Sequence, residues 1–251
     1  MLTSQRKQYI LNILKRDGQV VAKAVSQELG LSEDTIRRDL RELAQEGLLQ
    51  RVHGGALPAS PAVVDFAHRE EILIDSKIAI GKAAAHMIKD GQIVMLDGGT
   101  TATQIARHLP RALRATIVTH SASIALELVE HPGVEVILIG GRLFKHSIVS
   151  VGAAAIEAIS RVRADLFFMG VTGVHPDAGL STGDLEEAYV KHALCQQAAE
   201  TFVLASREKL GAASPYVIAP LSEISGLIVE QSIPEEMLLP YVQMGLTIVR
   251  A

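Results

Sequence analysis

The 251-residue chain contains one cysteine, no tryptophan and only nine other aromatic residues. With Cys195 alone, neither an intramolecular disulfide nor a zinc site built on cysteines is possible, and we expect no metal. Apolar residues still make up 48% of the chain. The core must therefore be built mainly from Ala, Val, Ile and Leu.

Long apolar runs and the common nucleotide-binding loops are also missing. No apolar run approaches the length that spans a bilayer, and the first seven residues lack the apolar segment of a signal peptide. We therefore expect a cytoplasmic protein that does not bind a membrane. No G-x-G-x-x-G occurs, and Gly81-Lys82 lacks the spacing of a nucleoside-triphosphate loop, so we expect no nucleotide cofactor.

Positive charge is scarce overall, but it is unevenly distributed. Residues 1–60 carry nine Lys or Arg and seven Asp or Glu, whereas the remainder carries fifteen and twenty-one. The net charge of −4 therefore hides a mildly positive first part and an acidic second part. This asymmetry fits a DNA-binding part attached to a part that does not bind DNA.

Residues 32–43 have the pattern of a short helix that faces DNA. Ser32 is a good N-cap, and Ile36, Leu40 and Leu43 recur at the spacing of a buried helical stripe. The opposite surface is rich in Arg, which binds guanine edges and phosphates. The candidate DNA-contacting residues of this helix are Ser32, Thr35, Arg37, Arg38 and Arg41. A solvated surface helix with ion pairs is the alternative interpretation.

The neighbouring residues supply the context of a helix-turn-helix. Residues 6–14 and 21–29 have helical spacing, and Gly30-Leu31 makes a tight turn into the third helix. After this helix, residues 48–52 are typical of a strand that leads to His53-Gly54-Gly55. We interpret this segment as a wing in which Arg51 and His53 contact DNA.

Both segments resemble the winged helix-turn-helix of the DeoR family of bacterial transcription regulators. The matching positions are Arg6, Ile10, Leu14, Ser32, Thr35 to Leu40 and Arg51 to Ala56. The resemblance implies a regulator that binds double-stranded operator DNA. Since one recognition helix rarely supplies operator specificity, we expect a homo-oligomer, a dimer or tetramer.

The chain is predicted to have a winged helix-turn-helix over 1–57, a linker with the start of a connecting helix over 58–75, and an effector-binding sensor domain over 76–251. Leu57-Pro58-Ala59-Ser60-Pro61 breaks any helix. We expect few contacts across this linker. A helix is predicted over 66–89.

β-branched runs alternate with helical stretches in the remaining residues. Predicted strands cover 93–96, 116–119, 134–139, 166–169, 201–204, 227–229 and 246–249. Predicted helices cover 102–109, 122–130, 153–161 and 185–199. The alternation predicts an α/β fold with a largely parallel sheet and helices on both faces.

Several of these strands end in small polar residues, at the edge where ligands bind in open α/β sheets. Together with later charged residues, they predict one pocket for an anionic small molecule. The candidate effector-binding residues are Asp97, Gly98, Gly99, Thr100, Thr101, Thr119, His120, Ser121, Gly140, Gly141, Gly170, Gly173, Glu187, Lys191 and Lys209. For each loop alone, an ordinary strand-to-helix turn is the alternative.

The loop over 98–101 opens a predicted helix, whose backbone N–H groups attract phosphate. Asp97 would repel phosphate, so we assign it to sugar hydroxyls, with Lys191 or Lys209 as the compensating positive charge. Glu187 and Lys191 lie one helical turn apart, and a surface ion pair is the alternative for them.

The second part also resembles the DeoR-family sensor domain, which is similar in fold to ribose-phosphate isomerase and glucosamine-phosphate deaminase. The resemblance is carried by 97–101, 140–141, 151–152, 170–173, 179–182, 187–191 and 209–211. It implies binding of a phosphorylated sugar that changes DNA affinity. The family usually has Asn where this chain has His120, and Asp where it has Ser206.

The sequence therefore predicts a DNA-binding repressor of a carbohydrate operon, controlled by a phosphorylated sugar or related metabolite, and not an enzyme. One alternative is a sugar-phosphate isomerase with an attached DNA-binding domain, in which Asp97, Glu187 or Lys191 is the base. Another is a DNA-binding protein whose second domain only oligomerises, which leaves the polar strand ends unexplained.

Overall fold

The computed structural model describes residues 1–61 and 72–251. Its first elements are α1 (Thr3–Asp17), β1 (Val20–Val21), α2 (Ala22–Leu29), α3 (Glu33–Gln45), β2 (Gln50–Val52) and β3 (Gly55–Leu57). The helices α1, α2 and α3 enclose a small apolar core, and β2 and β3 form an antiparallel hairpin that β1 extends. The predicted helix-turn-helix with its wing is therefore confirmed as a fold.

The third helix forms where its sequence predicts. The side chain of Ser32 accepts a hydrogen bond from the backbone N–H of Thr35 at 3.3 Å, which satisfies one of the unpaired donors of the first turn. Ile36, Leu40 and Leu43 are buried against the other helices. Packing of this stripe leaves the Arg-rich surface of α3 exposed to solvent.

A buried ion pair joins α1 to α3. The guanidinium of Arg6 donates through Nε and Nη2 to the two carboxylate oxygens of Asp39, with Nη2 at 3.0 Å from Oδ1. Both side chains are buried, and the hydrogen bonds to Asp39 raise the pKa of Arg6. Because removal of either partner would leave a buried charge unpaired, this pair fixes the position of α3 on α1.

The second part begins at α4 (Ile74–Met87) and contains a parallel sheet, further helices and short antiparallel strands. Its elements up to residue 160 are β4 (Ile93–Leu96), α5 (Thr100–Arg107), β5 (Ala115–Thr119), α6 (Ala122–Leu128), β6 (Val134–Leu138), β7 (Arg142–Phe144), β8 (Val149–Val151) and α7 (Ala153–Ile159). The later elements are β9 (Ala164–Gly170), β10 (Gly173–His175), β11 (Gly179–Thr182), α8 (Leu185–Gln196), β12 (Ala198–Leu204), β13 (Tyr216–Ala219), β14 (Gly226–Val229), α9 (Glu235–Gln243) and β15 (Thr247–Arg250).

The main sheet of the described chain has the strand order β15-β14-β12-β9-β4-β5-β6, and each pair of neighbours is parallel. The chain runs outward from β4 through β5 to β6, then returns to place β9 on the other side of β4. The order therefore reverses between β4 and β9. Ligands of open α/β sheets bind in the crevice at such a reversal.

Side chains along the sheet alternate between two apolar cores. Met95 of β4 packs in the core covered by α7, α8 and α9, whereas Val94 and Leu96 pack in the core covered by α4, α5 and α6. A period of two is expected when both faces of a strand are buried beneath helices. The predicted α/β fold with helices on both faces is confirmed. Within the described residues, no helix has both the length and the apolar character needed to cross a membrane.

Strand β4 matches its predicted range, and the other predicted strands and helices overlap observed ones with shifts of a few residues at their ends. The prediction missed the short antiparallel strand pairs β7–β8 and β10–β11, which precede the predicted helices after β6 and β9. The helix predicted over 66–89 is observed from Ile74 to Met87. Residues 66–71 of that prediction lie outside the described ranges, and Ile72 and Leu73 form a turn.

The first residues of the predicted linker contact the second part of the chain. The backbone N–H of Ala213 donates to the carbonyl of Pro58 at 3.0 Å, and the N–H of Ser60 donates to the carbonyl of Ala213 at 3.3 Å. The hydroxyl of Ser60 also donates to the carbonyl of Thr172 at 2.5 Å. Residues 58–60 are therefore hydrogen-bonded to the second part of the chain.

Replacement of Asp39 by Ala should destabilise the helix-turn-helix by about 3 kcal/mol, because it leaves the Arg6 guanidinium buried and unpaired. Hydrogen exchange in the full chain measures this as a lower opening free energy for amides of α1 and α3. Asp17→Ala is the control, since the Arg16–Asp17 pair is exposed and should matter little. Equal protection in both variants would contradict the structural role of the pair.

Candidate functional site

The arginines of α3 and the wing lie on one exposed surface. Arg37, Arg38, Arg41 and Arg51 line a shallow groove together with Thr35. An adjoining groove is lined by Arg37, Arg51 and His53. The structure thus brings the recognition helix and the wing together, as a duplex-binding surface requires. Ser32 is exposed beside them, and its hydroxyl is engaged in the cap of α3.

An exposed ion pair, as expected from the alternative of a solvated surface helix, is present on this surface. Arg37 Nη2 donates to the carboxylate of Glu33, one turn earlier, at 2.7 Å, and the Arg37 side chain is 55% exposed. An exposed pair of this kind contributes only a few tenths of a kcal/mol. A DNA phosphate or base edge can therefore replace Glu33 as the partner of Arg37 at little cost.

A cleft opens at the reversal between β4 and β9. It is lined by the loop after β4, the end of β9, the beginning of α8 and the turn after β12. The predicted residues that line it are Gly98, Gly99, Thr100, Thr101, Gly170, Glu187, Lys191 and Lys209. The structure thereby brings together residues that lie up to 111 positions apart in the sequence.

The loop after β4 presents the N-terminus of α5 to the cleft. Gly99 precedes the helix with φ of 119°, a conformation that side chains with a Cβ rarely adopt. A Cβ on Gly98 would lie 2.1 Å from Cγ1 of Val149, so this position lacks room for any side chain. The backbone N–H groups at the start of α5 therefore point at the space of the cleft with only small residues before them.

The carboxylate of Asp97 lies beneath this loop and is completely buried. Its Oδ1 accepts hydrogen bonds from the backbone N–H of Gly98 at 2.8 Å and from Nε2 of His120 at 2.9 Å. Its Oδ2 accepts from the backbone N–H of Gly170 at 2.8 Å and from Nζ of Lys191 at 2.5 Å. Both oxygens are thus fully engaged by donors of the protein itself.

Burial alone would raise the pKa of the Asp97 carboxyl, because desolvation disfavours its charged form. The positive charge of Lys191 and the hydrogen bond from His120 outweigh burial and lower this pKa to about 2. The carboxylate is therefore ionised at neutral pH. The assignment of Asp97 to sugar hydroxyls was wrong, since its oxygens already accept from His120, Lys191 and two backbone N–H groups.

The surface ion pair considered for Glu187 and Lys191 is also wrong. Both side chains are buried, and the ammonium of Lys191 pairs with Asp97. Asp184 caps α8 by accepting from the backbone N–H of Glu187 at 3.0 Å, which fixes the first turn of the helix. Glu187 and Lys191 therefore reach the floor of the cleft from a capped helix.

Predicted residues at the ends of β5 and β6 do not line the cleft, because these strands lie on the far side of β4 from the reversal. His120 lies beneath the cleft and donates a hydrogen bond to Asp97. Its Nδ1 is 2.9 Å from the carbonyl oxygen of Ser150. Gly173 lies in β10, against the carbonyl of Ala212. The predicted residues outside the lining are Asp97, Thr119, His120, Ser121, Gly140, Gly141 and Gly173.

Several lining residues were missed by the sequence prediction: Lys77, Thr172, Thr182 and Glu208. Thr172 and Thr182 lie inside segments that carry the family resemblance, which was a usable signal. Lys77 comes from α4 and Glu208 from the turn after β12, and no pattern in the sequence connects either of them to the loop after β4. Among the described residues, no His, Cys, Asp and Glu side chains are grouped to hold a metal ion.

Family models match both parts of the chain. The DeoR-like helix-turn-helix domain matches residues 6–61, and the DeoR C terminal sensor domain matches residues 73–231. The chain belongs to the DeoR family. Its helix-turn-helix domain is accordingly a DNA-binding domain, and its second part is a sensor domain for a small molecule.

Curated relatives of this DeoR-family chain are similar over most of their length. The HTH-type transcriptional regulator GlpR of Haloferax volcanii is 34% identical, covering 99% of this chain and 98% of the relative. The HTH-type transcriptional repressor GlcR of Bacillus subtilis is 33% identical, covering 92% of this chain and 90% of the relative. The glycerol-3-phosphate regulon repressor of Escherichia coli is 30% identical, with 84% of each chain covered.

Solved structures share parts of the fold at low identity. The full-length sorbitol operon regulator SorC of Klebsiella pneumoniae is 13% identical, with a TM-score of 0.45 over 92% of this chain and 96% of that chain. Ribose 5-phosphate isomerase A of Methanocaldococcus jannaschii is 15% identical, with a TM-score of 0.40 over 68% of each chain.

Asp97→Asn should lower the free energy of unfolding by about 3 kcal/mol at pH 7, because Lys191 loses its buried counter-charge and His120 loses a charged hydrogen-bond acceptor. The wild-type pKa falls from 3.8 to about 2 on folding, so the stabilisation is complete above about pH 4 and is lost as pH falls towards 2. Urea unfolding at pH 7, 4 and 3 measures the difference between the two proteins, which should shrink only below pH 4.

Asp177→Asn is the matched control, since Asp177 is exposed and should show no such dependence. A difference that stays constant down to pH 3 would contradict an ionised Asp97 as the source of the stability.

Proposed function

We propose that this chain represses an operon of carbohydrate or polyol-phosphate metabolism, and that a phosphorylated metabolite bound in the cleft changes its affinity for operator DNA. The curated relatives are named transcriptional regulators, and one is named a glycerol-3-phosphate regulon repressor. The observation that carries the proposal is the N-terminus of α5 at the reversal of the sheet, with lysines around it.

A phosphate group suits this cleft electrostatically. The first-turn N–H groups of α5 carry the positive end of the helix dipole, and the ammonium groups of Lys77, Lys191 and Lys209 line the same space. The hydroxyls of Thr100 and Thr101 add donors beside them. Phosphate has only acceptor oxygens when it is a dianion, so a site rich in donors is complementary to it.

The proposed role is regulation and not catalysis. An isomerase needs a base that can reach the substrate, and both oxygens of Asp97 are engaged beneath the cleft. Lys191 is held in its ion pair with Asp97. Glu187 remains at the cleft as a potential base, so incubation with pentose and hexose phosphates, followed by analysis for interconversion, tests the enzymatic alternative directly.

The hydrogen bonds of Ser60 support the proposed link between the two binding surfaces. Ser60 follows the wing by three residues and donates to the carbonyl of Thr172, which itself lines the cleft. The hydroxyl of Thr172 contacts Oγ of Ser214 at 2.7 Å and donates to the carbonyl of Ser181 at 3.2 Å. A ligand that shifts this loop would therefore also shift the residues that lead to the wing.

On the DNA side, we propose that Thr35, Arg37, Arg38, Arg41, Arg51 and His53 contact the operator, and that the protein binds it at least as a dimer. A monomer presents one recognition helix, which rarely supplies enough contacts for operator specificity. Light scattering of the free and the operator-bound protein tests the assembly.

The double variant Arg37→Ala, Arg38→Ala should bind its own promoter region more weakly. A base-reading Arg should cost about 1–3 kcal/mol and relax specificity at one position, whereas a phosphate-contacting Arg should lower the salt slope by about one. Mobility shift over a range of salt concentrations separates the two cases. Arg161→Ala, Arg163→Ala is the matched control, because these arginines are exposed in the second part. Undiminished binding would contradict the assignment.

The double variant Thr100→Val, Thr101→Val should respond less to phosphorylated ligands. It keeps the shape of the side chains but removes hydroxyl donors, each worth about 1.5–3 kcal/mol to a charged group. In wild type, sugar phosphates should raise the melting temperature with the logarithm of their concentration, and the unphosphorylated sugars should not. Thr247→Val, exposed on β15, is the control.

These threonines are cleaner targets than Lys191, whose loss would also expose the buried charge of Asp97. Equal responses to phosphorylated and unphosphorylated sugars, or an unchanged response in the double variant, would refute phosphate binding at this loop. The double variant and the Thr247→Val control should both still bind operator DNA without ligand, which separates a loss of ligand recognition from a loss of folding.

A further inference from the structure

Glu208 brings a second carboxylate, besides that of Glu187, to a cleft rich in hydrogen-bond donors. It lies in the turn Arg207–Lys209 after β12, and it lines the cleft beside Lys209. Its Oε1 accepts a hydrogen bond from the hydroxyl of Ser206 at 2.6 Å. Because Ser206 is fully buried, this bond holds the carboxylate of Glu208 in one orientation.

The second carboxylate oxygen, Oε2, is shielded from solvent and has no hydrogen-bond partner among the residues that the structure describes. A desolvated acceptor without a donor costs free energy, and the cost is larger for a charged group. Burial and the charge of Glu208 raise the pKa of the neighbouring acid Glu230, but Glu230 makes no hydrogen bond to this oxygen, and its own Oε2 accepts from the hydroxyl of Ser76. A residue that lines the cleft therefore carries an unsatisfied acceptor.

This position defines the chemistry of the missing partner. A phosphate dianion offers no donor and is repelled by a carboxylate, whereas a hydroxyl of the same ligand can donate to Oε2. An ester of phosphate with a polyol carries both a phosphate and hydroxyls. The donors of the cleft can bind its phosphate, and Glu208 can accept from one of its hydroxyls. Sites built to bind a hydroxyl discriminate strongly against analogues that lack it.

We propose that Glu208 accepts a hydrogen bond from a hydroxyl of the effector, and that it thereby selects polyol phosphates over inorganic phosphate and over phosphate esters without hydroxyls. Ser206 is the positioning residue that orients this carboxylate. The proposal rests on the proposed function, because it assigns the sugar-recognising group within the same cleft.

Isothermal titration of the full chain tests the selection with named probes. Glycerol phosphate, ribose 5-phosphate and glucose 6-phosphate carry hydroxyls, whereas ethyl phosphate and inorganic phosphate do not. In Glu208→Gln, the affinity for the best hydroxylated probe should fall about tenfold or more relative to ethyl phosphate. The affinity for ethyl phosphate should stay the same or rise, since a negative charge near the phosphate is removed.

Two further variants keep the experiment decisive. Glu200→Gln, exposed on β12, should leave the affinity ratio unchanged. Ser206→Ala retains the carboxylate of Glu208 but removes the hydrogen bond that orients it. The ratio of the affinities for the hydroxylated probe and for ethyl phosphate should therefore fall by less than in Glu208→Gln. This variant also provides the readout if Glu208→Gln does not fold.

An equal loss of affinity for both kinds of probe, or an unchanged ratio in Glu208→Gln and Ser206→Ala, would overturn the role of Glu208 while the proposed function stands. If wild type binds none of the phosphate esters, the proposed function and the role of Glu208 are both overturned.

Discussion

The buried carboxylate of Asp97 is the constraint on which the sensor site depends. Its charge has no access to water, so it is tolerated only because N–H groups of Gly98, His120, Gly170 and Lys191 surround it. These donors belong to β9, α8 and the segments after β4 and β5. One side chain therefore fixes the relative positions of the elements that form and support the cleft, before any ligand binds.

The strand order decides which polar loops can share a ligand. Polar strand ends recur along the chain, and each looks equivalent in the sequence. The return of the chain from β6 to β9 places the ends of β4, β9 and β12 side by side, and excludes Thr119, Ser121 and Gly140 from the lining. His120 is also outside the lining, but its side chain reaches Asp97 from the segment after β5 and so supports the cleft from beneath.

The sequence predicted elements whose local pattern is strong and missed those that depend on distant residues. Runs such as Ile93–Leu96 are β-branched and apolar, so the strand was evident. The strands β10, β11 and β13 are short and form a small sheet of their own, which leaves little local signal. The role of Asp97 was misassigned for the same reason: Lys191 lies 94 positions away, and no spacing rule connects them.

Contacts between residues distant in the sequence also join the cleft to the segment that leads to the wing. Ser60 and the cleft meet at Thr172, whose carbonyl accepts from Ser60 while its side chain faces Ser181 and Ser214. Two sites are coupled when both bias the same element, and the proposed coupling rests on Thr172, which contacts Ser60 and, with Gly170, lines the cleft. Gly170 is also fixed by Asp97. The buried carboxylate therefore supports the ligand site and the start of the path towards the wing through one short loop.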